Sequence, residues 1–332
     1  MAWLLLPVGL LFQLAVALRR WFYRSGLLRE ERLPVPVVVI GNITAGGSGK
    51  TPLVIWLADA LRRAGRHPGI VSRGYGRADD RVRKVGAGDT PQAVGDEPLL
   101  LARRAACPVF VGADRVAAAR ALILAHPECD VILSDDGLQH YRLARDVEIA
   151  VMDARGVMNG WPLPAGPLRE PLARLRSVDA LVINGGDAAS LPVLVPESVP
   201  MLKGPAIFGM TLVGDRFHRH GDAAHTCDAP QLAGKRLHAV AGIGDPERFF
   251  AHLSALGLAC EAHAFPDHHA YVADDLPREG DAVVTTEKDA VKFPIDSPSS
   301  ARLPVWVLPV EARIAPDLAR LVVERLDGRP PA

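Results

Sequence analysis

The stretch Val37-Val38-Val39-Ile40-Gly41-Asn42-Ile43-Thr44-Ala45-Gly46-Gly47-Ser48-Gly49-Lys50-Thr51-Pro52 constrains this chain more than any other. Its β-branched run reads as a strand buried on both faces, the kind that parallel sheets use. The strand passes directly into a glycine-rich turn closed by Gly49-Lys50-Thr51, and Leu53, Trp56, Leu57, Ala60 and Leu61 then recur at helical spacing. Strand, glycine loop, Lys-Thr and helix in that order make a phosphate cradle. Backbone N–H groups along Thr44, Ala45, Gly46, Gly47, Ser48 and Gly49, together with the helix N-terminus, face the anion. Lys50 reaches the β/γ-phosphates of a nucleotide, and the Thr51 hydroxyl can sit on Mg²⁺. The motif as usually written carries glycine four residues before the Gly-Lys pair. Here that position is Thr44, so Gly46 and Gly47 must supply the turn. An ordinary strand-to-helix turn would also contain glycine, but it would not need the Lys-Thr pair.

At 332 residues the chain exceeds the size at which a single core keeps growing, so two α/β units are expected. The 38 basic and 38 acidic residues balance, so no global field argues for nucleic acid as a partner. Cys107, Cys129, Cys227 and Cys260 are scattered without CxxC spacing. They form neither a disulfide framework nor a zinc motif, and they fit a reducing compartment. A Pro-rich passage from Pro192 to Pro205 reads as a boundary region.

Met1 to Leu18 carry no charge and are mostly Leu, Val and Ala; Arg19, Arg20 and Arg24 follow, with Trp21, Phe22 and Tyr23 among them. A secretory signal places its positive charge ahead of the apolar run and a cleavage site behind it, the reverse of this order. A transmembrane helix, a helix lying in the interface and a buried helix of the first domain all remain. Length is at the lower edge for spanning, and Gln13 and Pro7 weaken that reading. Aromatic rings beside arginines suit the headgroup level. A membrane-associating anchor is therefore expected, with the body on the cytoplasmic side where arginines stay.

Pro68 to Ser72 reads as a second strand. The loop behind it carries Arg73 and Arg77, at the strand end where α/β sheets bind ligands, so both can contact an anion. Gly95-Asp96-Glu97-Pro98 opens a helix; its acidic pair either complements the helix dipole or has a functional role. Val131-Ile132-Leu133-Ser134-Asp135-Asp136 is an apolar strand ending in two carboxylates, the expected second half of a phosphate-binding site, in which one carboxylate holds Mg²⁺ directly or through water. Gln139 and His140 lie close enough to orient substrate or phosphate. Alignment and deprotonation of an acceptor hydroxyl need a base, for which the sequence offers Asp96 and the Asp267-His268 pair. Farther on, residues 207–226 look like two short strands around Gly214-Asp215 that link the domains. Leu237 to Pro246 give another strand and glycine turn, which reads as domain architecture, with contact to the adenosine part of a nucleotide as the alternative.

Gly41 to Pro52, Ser72 to Arg77, Gly95 to Pro98, Asp135 to Tyr141, Gly166-Pro167-Leu168-Arg169-Glu170-Pro171, Phe265-Pro266-Asp267-His268-His269 and Thr285-Thr286-Glu287-Lys288-Asp289-Ala290 resemble, in order, the motifs of the tetraacyldisaccharide 4'-kinase family. Thr44 in the glycine loop matches that family's own pattern. The resemblance implies an enzyme dependent on ATP and Mg²⁺ at the cytoplasmic face of the inner membrane. It would phosphorylate the 4'-hydroxyl of a tetraacylated glucosamine disaccharide 1-phosphate to give lipid IVA. It points to Asp96 as catalytic base working with His268, to Lys50 as a catalytic cation, and to Arg169 and Glu170 on the substrate side.

The expected architecture is α/β: a P-loop NTPase-type parallel sheet domain, a second, smaller α/β domain and an apolar N-terminal helix. The expected divisions are a membrane-associating helix at 1–24, a P-loop kinase domain at 25–206, a strand ribbon at 207–228 and a C-terminal domain at 229–332, with the active site between the domains. No obligate protein partner is evident. The competing reading is a membrane-associated P-loop NTPase acting as a switch or chaperone; the guanine-reading Asn-Lys-x-Asp pattern of a GTPase is absent from the sequence. A non-enzymatic lipid-binding module would not need Lys-Thr and Asp-Asp.

Overall fold

In the computed structural model, which describes residues 2–186, 189, 204–293, 303–315 and 317–328, Val37–Gly41 forms strand β1, buried at all five positions. Alternation divides its side chains between two cores. Val38 and Ile40 join Leu53, Leu57 and Leu61 on one face, and Val37 and Val39 join Val116, Ala119 and Leu122 on the other. Full burial of each such side chain stabilises the fold by roughly 1.5–3 kcal/mol, which fixes β1 at the centre of the sheet.

The sheet built around it has nine strands: β15 (Glu311–Ile314), β8 (Ala206–Val213), β7 (Ala180–Asn184), β6 (Val147–Asp153), β1, β5 (Val131–Asp135), β2 (Pro68–Ser72), β4 (Val109–Val111) and β3 (Arg83–Lys84) in spatial order. From β8 to β4 the neighbours are parallel; β15 and β3 close the two edges antiparallel. Ile40 is paired with Asp135, so the end of β1 and the carboxylates that close β5 arrive at the same level. Helices α1 (Ala2–Arg24), α2 (Lys50–Arg63), α3 (Pro91–Val94), α4 (Asp96–Arg104) and α5 (Arg115–Ala125) belong to this larger lobe.

The smaller lobe is a six-stranded sheet in the order β10 (Asp222–Asp228), β9 (Arg216–Arg219), β14 (Val305–Leu308), β13 (Ala282–Thr286), β11 (Leu237–Ala241), β12 (Cys260–Ala264). Its helices are α6 (Ala229–Leu232), α7 (Pro246–Ala255) and α8 (Glu287–Ala290).

Two boundaries differ from the sequence expectation. The expected ribbon at 207–228 contains three strands that divide between the sheets. β8 continues the larger sheet beside β7, and β9 with β10 forms an antiparallel edge of the smaller one, so Gly214-Asp215 marks the crossing. The C-terminal segment also returns to the larger lobe. β15 pairs with β8, and the closing helix α9 (Asp317–Asp327) buries Leu318, Val322 and Leu326 in the α2-side core. Two physical causes draw the C-terminal segment back: β8 exposes an edge that β15 covers, and the apolar stripe on α9 needs a core. Residues 192–203 of the Pro-rich passage lie outside the described residues.

Helix α1 buries only Gly9, whose Cα faces Pro162 so closely that an added Cβ would meet its Cγ at 3.0 Å. Trp3 packs edge-on against Trp161 at 4.5 Å between ring centroids, Arg20 donates to Ser177 Oγ at 2.8 Å, and Tyr23 lies near Tyr141. Most of its apolar surface, including Leu4, Leu11, Leu14 and Trp21, is exposed. By length and composition it is apolar enough to cross a membrane.

Candidate active site

Helix α2 begins at Lys50, and Gly49 before it has φ +91°, a left-handed conformation that glycine adopts without strain. There is no room for a side chain either, since a Cβ on Gly49 would lie 2.4 Å from Asn184 Nδ2. The loop is held from outside by the 167–169 segment: Ala45 N–H donates to Pro167 O, and Arg169 N–H to Ile43 O, both at 2.7 Å. That pairing brings Arg169 to the site, where its guanidinium donates to Asp136 Oδ2 at 3.0 Å. Lys50 Nζ stands 3.6 Å from the same carboxylate. Burial opposes charge on Asp136, but Lys50 and Arg169 outweigh it and hold its carboxyl below the usual range.

Asp135 is more enclosed. Ser72 Oγ donates to its Oδ2 at 3.0 Å, while Oδ1 is buried without a partner. Burial first, then the charges of Glu97 and Asp136, push its pKa upward, with Lys50 and Ser72 pulling the other way. Asn42 Oδ1, Ser48 Oγ and Ser134 Oγ are likewise buried and unpartnered. Buried polar atoms are nearly always satisfied, so the unpartnered Asp135 Oδ1 at the end of β5 marks a place for a polar ligand. The carboxylates of Asp135 and Asp136 and the hydroxyl of Thr51, which follows Lys50 at the start of α2, are hard oxygen donors, the chemistry that fits Mg²⁺.

The smaller lobe supplies the opposite wall. His268 Nδ1 lies 2.8 Å from Asp96 Oδ2, joining the first residue of α4 to the loop behind β12. Lys288, on α8, donates to Glu97 at 3.0 Å and to Asp267 at 3.1 Å. Burial alone would raise the Asp96 pKa; the bond from His268 and the Lys288 charge win, and it sits below its ordinary value. His268 is shifted upward, chiefly by that same bond. His268 and Asp136 adopt φ of +61° and +47°, a conformation that costs side-chain-bearing residues energy and recurs at functional sites.

Between the lobes is a cavity of about 410 Å³, lined on one side by the glycine loop with Lys50 and Thr51 and on the other by Ile243, Gly244, Arg248, Phe249 and His252. The two glycine turns nearly touch. A Cβ on Gly244 would come within 2.6 Å of Gly47 N. Arg155 bridges them, donating to Gly47 O at 2.9 Å and to Gly244 O at 3.4 Å. Asn184 does the same farther back, donating to Ser48 O at 3.1 Å and accepting from Arg248 at 2.8 Å.

Of the residues expected at the site, Thr44 through Thr51, Asp135, Asp136, Arg169, Asp96 and His268 are therefore brought together. Arg73 is exposed on its loop, and Arg77 donates to Arg81 O while its Nε and Nη2 are buried without partners. Gln139, His140 and Glu170 differ from the expectation of substrate contact. Glu170 is fully buried. Its carboxylate accepts from Gln139 at 2.7 Å and from Tyr141, with Arg174 at 3.3 Å. Gln139 also holds Asn42 O, so this network braces the glycine loop from behind. His140 Nε2 accepts from the Arg115 backbone N–H at 3.3 Å, and burial followed by the Arg115 charge lowers its pKa to about 4. Its ring is neutral and supports the start of α5. Sequence reasoning missed Arg155 and Asn184, which carry no motif signal beyond a polar residue near a strand end. The turn at Gly244, expected as domain architecture with a contact to the adenosine part as the alternative, stands against the glycine loop.

A family model described as tetraacyldisaccharide-1-P 4'-kinase matches residues 1–327. Relatives called tetraacyldisaccharide 4'-kinase include one from Azoarcus sp. (strain BH72), 54% identical over 100% of this chain and 94% of its own. Another, from Dechloromonas aromatica (strain RCB), is 51% identical over 98% and 93%. Among solved structures, the fold is similar to an "apo" form of LpxK from Aquifex aeolicus crystallised in complex with ATP, with a TM-score of 0.78 and 30% identity over 98% of this chain and 99% of that one.

Proposed function

This chain belongs to the tetraacyldisaccharide-1-P 4'-kinase family, and we propose how its residues divide the family's reaction among them. It transfers the γ-phosphoryl group of ATP to the 4'-hydroxyl of tetraacyldisaccharide 1-phosphate, forming lipid IVA in lipid A biosynthesis. Membership sets aside the alternative of a P-loop switch or chaperone.

The observation that carries the assignment of roles is the 2.8 Å contact between Asp96 and His268 beside the glycine loop. Phosphoryl transfer needs positioning and charge neutralisation more than covalent chemistry. The glycine loop and Lys50 hold the phosphates. Asp96 orients the acceptor hydroxyl and takes its proton, and His268, bonded through Nδ1 to the Asp96 carboxylate, tunes that carboxylate and passes the proton onward. Lys288 fixes Glu97 and Asp267 so that the dyad keeps its geometry. Thr51 and the Asp135–Asp136 pair are the residues that would hold Mg²⁺, which when bound neutralises charge on the β- and γ-phosphates. Arg73, Arg77 and Arg169 offer cations for the anionic groups of nucleotide and acceptor. The bridge of Arg155 from Gly47 to Gly244 favours a closed cleft, which excludes water and limits wasteful ATP hydrolysis.

The exposed apolar surface of α1, with Arg19, Arg20 and Arg24 in its C-terminal turns, supports a membrane surface as the place of action, at the cytoplasmic face of the inner membrane. There the helix would meet the acyl chains of the acceptor. The test uses labelled ATP and the lipid acceptor in mixed micelles. Asp96→Asn is expected to lower kcat at least a hundredfold while nucleotide affinity changes little, since a base acts in the transition state. Loss of ATP binding with chemistry intact would reverse the assignment.

A further inference from the structure

The smaller sheet carries a cluster of ligating side chains that phosphoryl transfer does not use. β11 and β12 run parallel with His238 opposite Glu261 and Val240 opposite His263, so the two-residue period puts His238, Glu261 and His263 on one face. His238 Nδ1 lies 3.0 Å from His263 Nε2, and the Glu261 carboxylate reaches the two rings at 3.4 Å and 3.7 Å. These three side chains can each turn one donor atom toward a common point. Ligand atoms at the corners of a zinc tetrahedron with bonds near 2.0–2.1 Å are about 3.3 Å apart, within the observed spread.

The second ring nitrogen of His238 adds an independent observation. His238 Nε2 lies 2.6 Å from Glu279 O. A carbonyl only accepts, so Nε2 carries the proton, and the neutral ring presents the Nδ1 lone pair to the cluster. Support of a metal-bound histidine by a backbone carbonyl is the usual arrangement around such sites. The carbonyl is held close, because a Cβ on Gly280 would fall 2.8 Å from His238 Nε2. Beside the cluster a cavity of about 460 Å³, lined by His238, Glu261, Glu279 and Gly280 among others, leaves space for a solvent ligand.

We propose that His238, Glu261 and His263 bind one divalent ion of the zinc class, with water completing its coordination. Two imidazoles and one carboxylate suit Zn²⁺, Co²⁺ or Ni²⁺ better than Mg²⁺ or Ca²⁺, which favour oxygen alone. Without the ion, His263 Nε2–H donates to His238 Nδ1; on ligation the His263 proton moves to its Nδ1 by exchange with water, and the ring stays neutral. The ion ties edge strand β12 to β11. His263 is five positions before His268, so the brace lies at the root of the loop that reaches Asp96.

Cobalt is the probe, with the full-length protein in detergent, freed of metal and saturated with Mg²⁺ and nucleotide to occupy the phosphate site. One equivalent of Co²⁺ should produce the visible absorption of a four- or five-coordinate ion, and one equivalent of Zn²⁺ should abolish it. His263→Gln should lose that equivalent and weaken cobalt binding at least a hundredfold, with kinase turnover in Mg²⁺ serving as the check on folding. Glu261→Gln, on an exposed side chain, should weaken binding about tenfold and provides a second variant if His263→Gln does not fold. Absence of the absorption band in the parent protein, or a band undiminished in either folded variant, would overturn the site and leave a hydrogen-bonded histidine pair.

Discussion

Replacing Lys288 by methionine tests how the two lobes hold the dyad. The ammonium has a side-chain exposure of 17% and donates to Glu97 at 3.0 Å and Asp267 at 3.1 Å. Burial disfavours its charge, but Glu97, Asp267 and Asp96 together overcome that and raise its pKa. Methionine keeps the length and removes the charge, leaving carboxylates facing one another without their cation. Removing one partner of a buried ion pair costs about 3–5 kcal/mol, against about 0–1 kcal/mol for an exposed pair. A loss near 3 kcal/mol is expected at pH 7, read from urea unfolding with the m-value checked for constancy. The sign of the pH dependence is fixed by the upward shift. Lys288 contributes fully below its unfolded value near 10.5, and its contribution is lost only as pH rises through the higher folded value. Below neutrality the parent protein therefore gains nothing more from this lysine. The variant instead recovers part of its loss as its unpaired carboxylates take up protons. Glu97→Gln combined with Lys288→Met should cost less than the sum of the two single changes. A loss under about 1 kcal/mol that is unchanged between pH 5 and 8 would refute the reasoning, since it would place Lys288 among ordinary surface charges.

Other expectations follow from the same geometry. Lys50→Ala should remove most turnover, because a fixed cation on the transferred group is worth several kcal/mol in the transition state; near-parental turnover in a folded protein would sink its role. Gly244→Ala puts a methyl 2.6 Å from Gly47 N, so the turns must separate, and KM for ATP should rise about tenfold or more while the melting curve moves little. Deleting residues 2–18 should release the protein from membranes and raise KM for lipid in vesicles with ATP affinity kept. A well-folded truncation that uses vesicle-embedded acceptor as well as the full chain would contradict anchoring.

The glycine loop, the Asp135–Asp136 strand end and the two-lobed α/β plan were legible because each is a local signal. Four consecutive β-branched residues need burial on both faces, and Lys-Thr at a helix start needs a phosphate. What was not legible depends on nonlocal closure. β8 reads as a ribbon strand until β15, a hundred residues on, is seen to pair with it, and no pattern in 311–327 says which core its apolar stripe will find. Glu170 shows the same limit at the site. An acidic residue in a family motif suggests substrate contact, whereas its burial beneath Gln139, Tyr141 and Arg174 makes it a brace for the loop. Arg155 and Asn184 acquire their roles only when the second lobe arrives against the first.

The pH–rate profile of His268 variants tests the central assignment most directly. In the free enzyme the bond to Asp96 holds His268 protonated to a higher pH than an isolated imidazole, above about 6.5. Proton acceptance by the dyad requires the neutral ring, so kcat/KM for the lipid should rise with pH through that raised value and level off above it. His268→Ala should lower kcat by a factor of about 10²–10⁴ and remove that limb, leaving ATP binding and the Lys50-dependent residual rate in place. A His268→Ala enzyme with near-parental turnover, or one that keeps the same acid limb, would contradict the dyad.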